Sequence, residues 1–238
     1  MNWLKNNFPN LLTCSNLACG VFAIFLLSTH GLQSIEAVEV LVIIAGIADF
    51  LDGFAARILK STSDIGKDLD SLADNITFGL LPCLVVFLTI RKLAIEELVD
   101  EKVALFAIPI AILSSVRLAI FNNDARQSDH FIGVPTPANA FFLIFLVGSL
   151  LNSKFEFLYN INFLVALSLL TSLWLVAPIP LIALKFKNFE IKFNWQRYLI
   201  LAISIVLLLI LGISALPFVI LAYLAVSIIN NLLPRYEL

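Results

Sequence analysis

Little of this sequence is charged, and less of it is cysteine. Charged residues make up 13% of the 238 positions and the formal net charge is −2, so no basic surface offers itself to a nucleic acid. Cys14, Cys19 and Cys83 are odd in number, lie inside apolar stretches and lack metal-site spacing. They are expected to be small buried residues with no disulfide framework. Lys5 is the only base within Met1 to Asn10, and neither Cys14 nor Cys19 follows a lipoprotein cleavage pattern, which argues against a cleaved leader. Internal repeats are not evident. What remains is apolar: 61% of the residues are hydrophobic and mean hydropathy is +0.99. That is too high for a soluble domain, and the runs are long enough to span a bilayer.

These runs are read as an all-α polytopic membrane bundle of about eight transmembrane helices. A short interfacial helix over Met1 to Asn10, with Trp3, Leu4 and Phe8 beside Lys5, is expected before the first of them. The spans are Leu11 to Ser28, Ile35 to Lys60, Gly66 to Ile90, Val103 to Phe121, Ala138 to Leu151 and Ile161 to Leu184. Tyr198 to Ile229 is too long for one span and is split at Gly212 to Pro217 into two. The chain reads as one domain, 1–238, with a core over 1–185 and two extra spans over 197–231. Loops taken alternately give one side Lys5, Arg57, Lys60, Lys67, Arg117, Arg126, Lys185, Lys187, Lys192, Arg197 and Arg235, eleven of the fifteen bases. The other side receives Arg91, Lys92, Lys102 and Lys154. The basic side is the cytoplasmic one, which puts both termini inside.

Against this background one stretch stands out, DFLDGFAARILKSTSDIGKDLDSLAD, Asp49 to Asp74. Asp49 and Asp52 are three residues apart, and Asp70 and Asp74 four apart, so each pair shares one face of its helix. The polar turn Ser61-Thr62-Ser63-Asp64 between them predicts a helix hairpin with both acidic faces turned inward. Each acid at bilayer depth costs about 2.5 to 3.5 kcal/mol, and two like charges about 4 Å apart repel by about 4 kcal/mol at an effective dielectric of 20. One arginine, Arg57, cannot balance four acids, so the pattern calls for a divalent cation with oxygen ligands, Mg2+ or Mn2+. Gly53 and Gly66 lack a Cβ and let a pyrophosphate approach the helix backbone, with Arg57 near its oxygens. The alternatives are ion-paired structural acids, glycines that serve only helix packing, and a cation-binding transporter.

The stretch reads D-x-x-D-G-x-x-A-R-x8-G-x-x-x-D-x-x-x-D and resembles the signature of the CDP-alcohol phosphatidyltransferases at every specified position. The resemblance implies Asp49, Asp52, Asp70 and Asp74 as metal ligands, with Asp74 also the general base. It implies that Gly53, Ala56, Arg57 and Gly66 line the nucleotide and pyrophosphate site. Upstream, P-N-x-x-T-x-x-N resembles the family's cytidine-binding segment, implying nucleotide contacts for Asn10, Thr13 and Asn16.

Downstream, R-L-A-x-F-N and F-x-G-x-P-T-P-A resemble the phosphatidylserine synthase branch, although Ile120 stands where many members carry a second arginine. Arg117 lies inside its span by a turn or more and needs a partner or a function. The branch resemblance implies serine contacts from Arg117, Asn122, Gly133, Pro135 and Thr136. It further implies transfer of a phosphatidyl group from CDP-diacylglycerol to L-serine with release of CMP, in a bacterial cytoplasmic membrane, by a homodimer. Glycerol phosphate and inositol phosphate are the alternative acceptors. His130, beside Asp129, is read as an exposed loop residue.

Overall fold

The computed structural model describes residues 2–61, 63–124, 131–152, 156–182 and 190–232. Arg126, Asp129, His130, Lys154, Lys185, Lys187 and Arg235 lie outside the described residues. The first helix, α1 (Asn2–His30), runs unbroken through Pro9, so no separate interfacial helix precedes the first span. A proline removes one hydrogen bond to the preceding turn, and that loss does not end a helix of this length. A tight 3-10 turn at Gly31–Ser34, with Gly31 at φ 60, leads into α2 (Ile35–Leu59), which packs along α1.

The acidic hairpin forms as the pattern predicts. Lys60 ends α2 in the left-handed region (φ 50, ψ 42), and Ser63 caps α3 (Asp64–Asp74), its Oγ accepting from the Gly66 amide at 3.0 Å. Directly after Asp74 comes a π-helical turn, Asn75–Leu80, and then α4 (Leu81–Glu96). Such wide turns are rare and concentrate at functional sites.

The remaining helices are α5 (Ile108–Asn123), α6 (Thr136–Leu151), α7 (Ile161–Val176), α8 (Ile191–Leu211) and α9 (Leu216–Leu232). Pro135 and Pro137 bracket the start of α6. The chain breaks between α8 and α9 at Gly212, φ 61, where the sequence predicts the split. By contrast α7 stops at Val176, eight residues short of Leu184. Pro178 drives Ala177 into extended backbone (φ −62, ψ 136). The chain then forms β2 (Pro180–Leu181), antiparallel to β1 (Phe131–Ile132).

Among the described residues, four helical stretches are long and apolar enough to cross a membrane: Asn7–Leu59, Ile65–Glu96, Glu101–Asn123 and Asn194–Leu232. The first and last of these each bend into two helices, and α6 and α7 are shorter apolar helices of 16 residues. The core centres on α6, buried nearly all round from Asn139 to Leu150, where Leu143 and Ile144 join Phe78 and Leu81. Phe22, Phe25, Ile44, Ile47, Leu209 and Ile210 point outward, as lipid-facing surfaces require. Cys83 is buried and Cys19 half-buried, but Cys14 is exposed on α1, against expectation; none forms a disulfide.

Gly133 (φ 80) joins β1 to α6. Its amide donates to the Ile179 carbonyl at 2.9 Å, and a Cβ there would stand 2.5 Å from the Leu175 carbonyl oxygen. Gly212 also has a positive φ (61, with ψ −144) but has open space around it. Both substitutions meet positive-φ strain, and Gly133→Ala adds the clash with α7, so it should cost about 1 to 2 kcal/mol more than Gly212→Ala, read as melting temperatures of the detergent-solubilised protein. Equal shifts would show that the contact with the end of α7 is not what constrains this turn.

Candidate active site

Three carboxylates converge where α2 meets α3. One oxygen each from Asp49, Asp70 and Asp74 lies within 4.8 Å of the others. Asp52 does not join this group. It turns toward α1, where Thr13 Oγ1 donates to its Oδ2 at 2.5 Å, and only 6% of its surface stays exposed.

Asp74 is held from α1 as well. Asn16 Nδ2 donates to Asp74 Oδ1 at 3.0 Å, and Asn16 is itself fully buried. Thr77, in the π turn, donates through Oγ1 to the Asn16 carbonyl at 3.2 Å. Gly20, one turn further along α1, leaves no room for a Cβ against the Thr77 side chain. Close approach of α1 to the π turn thus aims Asn16 at Asp74. The family resemblance implies a nucleotide contact for Asn16; in the structure its side-chain amide bonds Asp74. Its three-residue separation from Thr13 was the available signal, because both then face α2 and α3.

Among the described residues no arginine pairs with these acids. No ion pair between described residues involves them; those pairs are Arg91–Glu101, Lys92–Glu96 and Lys102–Asp100. Arg57 is exposed and its Nε donates to the Gly53 carbonyl of its own helix at 2.9 Å. Asp70 Oδ1 is buried and accepts no hydrogen bond from the protein. An orphaned carboxylate oxygen beside two further carboxylates fits a hard divalent cation, whose preferred ligands are oxygens.

Two cavities meet at this cluster. One, of about 390 Å³, is lined by Asn10, Thr13, Asp52, Gly53, Ala56 and Gly66, and also by Ser61, Ser63, Lys67 and Asp70. The other, of about 290 Å³, is lined by Asp49, Asp70, Ser71, Asp74, Arg117, Asn122, Pro135 and Thr136. Asp70 belongs to both. Nothing within 4 Å would meet a Cβ at Gly53, whereas one at Gly66 would stand 3.0 Å from Asn10 Oδ1. Open space for a ligand therefore lies over Gly53, and Gly66 serves the closeness of α3 to α1.

Arg117 is 3% exposed, with Nε donating to the Val134 carbonyl at 3.3 Å and its guanidinium 5.4 Å from the Phe121 ring centre. These contacts hold it at the wall of the smaller cavity. Asn122 spans the divide: its carbonyl accepts from Lys67 Nζ at 3.0 Å and its amide donates to Ser71 Oγ at 2.6 Å. Of the predicted residues, Asn16, Arg57 and Gly133 line neither cavity. Arg57 faces outward, and Gly133 is spent on the turn against α7. Lys67, Ser61, Ser63 and Ser71 were missed, since in the sequence they read as loop or spacer positions. A wider cleft of about 680 Å³, around His30, Glu36, Arg91 and Lys92, lies at the other end of α1 and carries no such cluster.

A family model described as CDP-alcohol phosphatidyltransferase matches residues 6–177. The CDP-diacylglycerol–serine O-phosphatidyltransferase of Helicobacter pylori (strain ATCC 700392 / 26695) is 32% identical over 226 residues, covering 94% of this chain and 90% of its own. The enzyme of that name from Bacillus subtilis (strain 168) is 36% identical over 142 residues, 59% of this chain and 75% of its own. The archaetidylserine synthase of Methanothermobacter thermautotrophicus is 33% identical over 137 residues, 56% of this chain and 54% of its own.

The geometry makes a direct expectation for cation binding. Mn2+ at about a hundred times its dissociation constant should stabilise the purified protein by about 2.7 kcal/mol, seen as a raised melting temperature. Asp70→Asn should abolish the rise, and Asn16→Leu should weaken Mn2+ binding about 10-fold to 100-fold. An unchanged rise in Asp70→Asn would remove that acid from the ligand set.

Proposed function

Since the chain belongs to the CDP-alcohol phosphatidyltransferase family, with residues 6–177 inside the family match, we propose that it transfers the phosphatidyl group of CDP-diacylglycerol to the hydroxyl of L-serine, releasing CMP. The observation that carries this reading is the acid cluster at the junction of two cavities. Such a site can hold a nucleotide diphosphate on one side and a small alcohol on the other. The serine transferases among its relatives support the choice of acceptor.

In this reading the cavity bearing Asn10, Thr13, Gly53, Ala56 and Gly66 takes the cytidine diphosphate, with the diphosphate passing over the open backbone at Gly53. Lys67 lines the same cavity and adds a cation that the signature does not specify. Asp49, Asp70 and Asp74, with Asp52 behind them, would hold Mg2+ or Mn2+. When bound, the ion supplies charge neutralisation at the diphosphate and Lewis-acid polarisation of the reacting phosphoryl group. Asp74 removes the proton from the serine hydroxyl. Asn16 occupies Asp74 Oδ1 and so leaves the other oxygen to do this. The hydroxyl oxygen bonds to the phosphorus that carries diacylglycerol, the bond from that phosphorus to the CMP phosphate oxygen breaks, and CMP leaves with that oxygen. Direct displacement needs no covalent intermediate on the enzyme.

Arg117 takes the serine carboxylate, with Asn122, Pro135 and Thr136 shaping the same cavity. Phosphorylated acceptors call for more bases than this cavity has among the described residues. The chain crosses the bacterial cytoplasmic membrane eight times as one domain, 1–185 with two added spans, and works as a homodimer. Its termini and acid cluster face the cytoplasm, where CMP departs.

The test is CMP release by the purified protein with CDP-diacylglycerol and Mg2+ or Mn2+, comparing serine with glycerol 3-phosphate, inositol and inositol phosphate. Release with serine alone is expected; release driven by another alcohol would overturn the acceptor. Arg117→Ala should raise KM for serine roughly 30-fold, the loss of about 2 kcal/mol from one buried charged contact, and leave KM for CDP-diacylglycerol unchanged. Equal effects on both would dismiss Arg117 as the carboxylate anchor. Asp74→Asn should cut kcat by about 100-fold to 10,000-fold while the nucleotide still binds.

A further inference from the structure

The two helices beyond the family match leave a second, apolar cleft against α6. It has a volume of about 390 Å³ and is walled by Ala138 on α6, Ile200, Leu201 and Ser204 on α8, and Val219 and Ile220 on α9. That volume is in the range of ligand sites. Pro135 lines both this cleft and the cavity holding Asp49, Asp70, Asp74 and Arg117, so the cleft opens at the level of the acids.

From there it follows α8 from Arg197 to Ser204, seven residues or about 10 Å of helix, into a stretch apolar enough to cross a membrane. Arg197 marks its polar end, with Nη1 donating to Asn194 Oδ1 at 3.0 Å. Beyond it the polar groups are already satisfied by the protein. Ser204 Oγ donates to the Ile200 carbonyl at 2.7 Å, and the Tyr223 hydroxyl to the Ile182 carbonyl at 3.0 Å. Among the described residues, a ligand in this cleft finds apolar surface and no free hydrogen-bonding partner beyond its mouth, which suits a hydrocarbon chain.

We infer that this cleft holds one acyl chain of the lipid substrate, its glycerol end beside Pro135 and its methyl end among Leu201, Val219 and Ile220. The inference rests on the phosphatidyltransferase reading and extends it. Because the family match ends at residue 177, α8 and α9 supply a lipid cradle that the matched region does not contain.

The direct test is photocrosslinking in detergent with CDP-diacylglycerol bearing a diazirine near the end of one acyl chain, followed by peptide mass spectrometry. Adducts are expected on α8 and α9, lost when unlabelled CDP-diacylglycerol is in excess and retained with excess phosphatidylcholine. Adducts elsewhere only, or equal displacement by phosphatidylcholine, would overturn the inference, the latter by identifying a site for bulk lipid. Ser204→Phe and Ile220→Trp fill the cleft, and should raise KM for long-chain CDP-diacylglycerol at least about tenfold while changing that for a short-chain analogue less than about twofold. Equal changes for the two substrates would likewise sink it. Crosslinking needs neither serine nor turnover. Missing adducts in a protein that still releases CMP would thus reject the cleft alone, whereas a wild type that releases no CMP with any alcohol would reject the phosphatidyltransferase reading.

Discussion

The rest of the structure depends on keeping four carboxylates among helices that are otherwise apolar. Each would cost about 2.5 to 3.5 kcal/mol at bilayer depth without compensation. The protein compensates two of them with amide and hydroxyl donors from a single neighbouring helix, Asn16 for Asp74 and Thr13 for Asp52. Neutral donors lower the cost of burial without cancelling the charge. The cluster of Asp49, Asp70 and Asp74 is thereby left able to hold a cation, a place that buried arginines would have taken.

That arrangement explains why α1 matters as much as the acidic hairpin. Its approach to the π turn is close enough that Gly20 has no space for a side chain facing Thr77. The same closeness sets Asn16 and Thr13 at hydrogen-bonding distance from acids on two different helices. Asp70, left with an unpartnered oxygen, faces both cavities. A group bound at Asp70 can therefore act on ligands from either side. The contacts Lys67–Asn122 and Asn122–Ser71 tie α3 to the end of α5 across the same divide, keeping the two cavities in register.

The smaller cavity also relies on an element with no helical signal at all. Two residues of β1 pair with two of β2, and Gly133 and Ile179 bond across the join. This anchors the segment leading to Pro135 and Thr136 against the end of α7, and it brings the Val134 carbonyl to Arg117. Pro178 makes it possible by ending α7 early. Gly133 thus acts at one remove, on the backbone that carries the cavity wall.

Much of the architecture was legible because its causes are local. Apolar runs locate the helices, Gly212 and the polar turn at Ser61 to Ser63 locate two of their breaks, and the spacing of Asp49, Asp52, Asp70 and Asp74 sets each pair on one face. Residue spacing along a helix is enough to say that the two acidic pairs face one another, in a group that could hold a cation. It is not enough to say which oxygens meet. That Asp52 leaves the cluster for Thr13, that Asn16 serves Asp74, and that Arg57 turns back on its own helix depend on the separation and rotation of α1, α2 and α3. Contacts between residues 39 and 58 positions apart fix those quantities, and only the packed tertiary structure decides them.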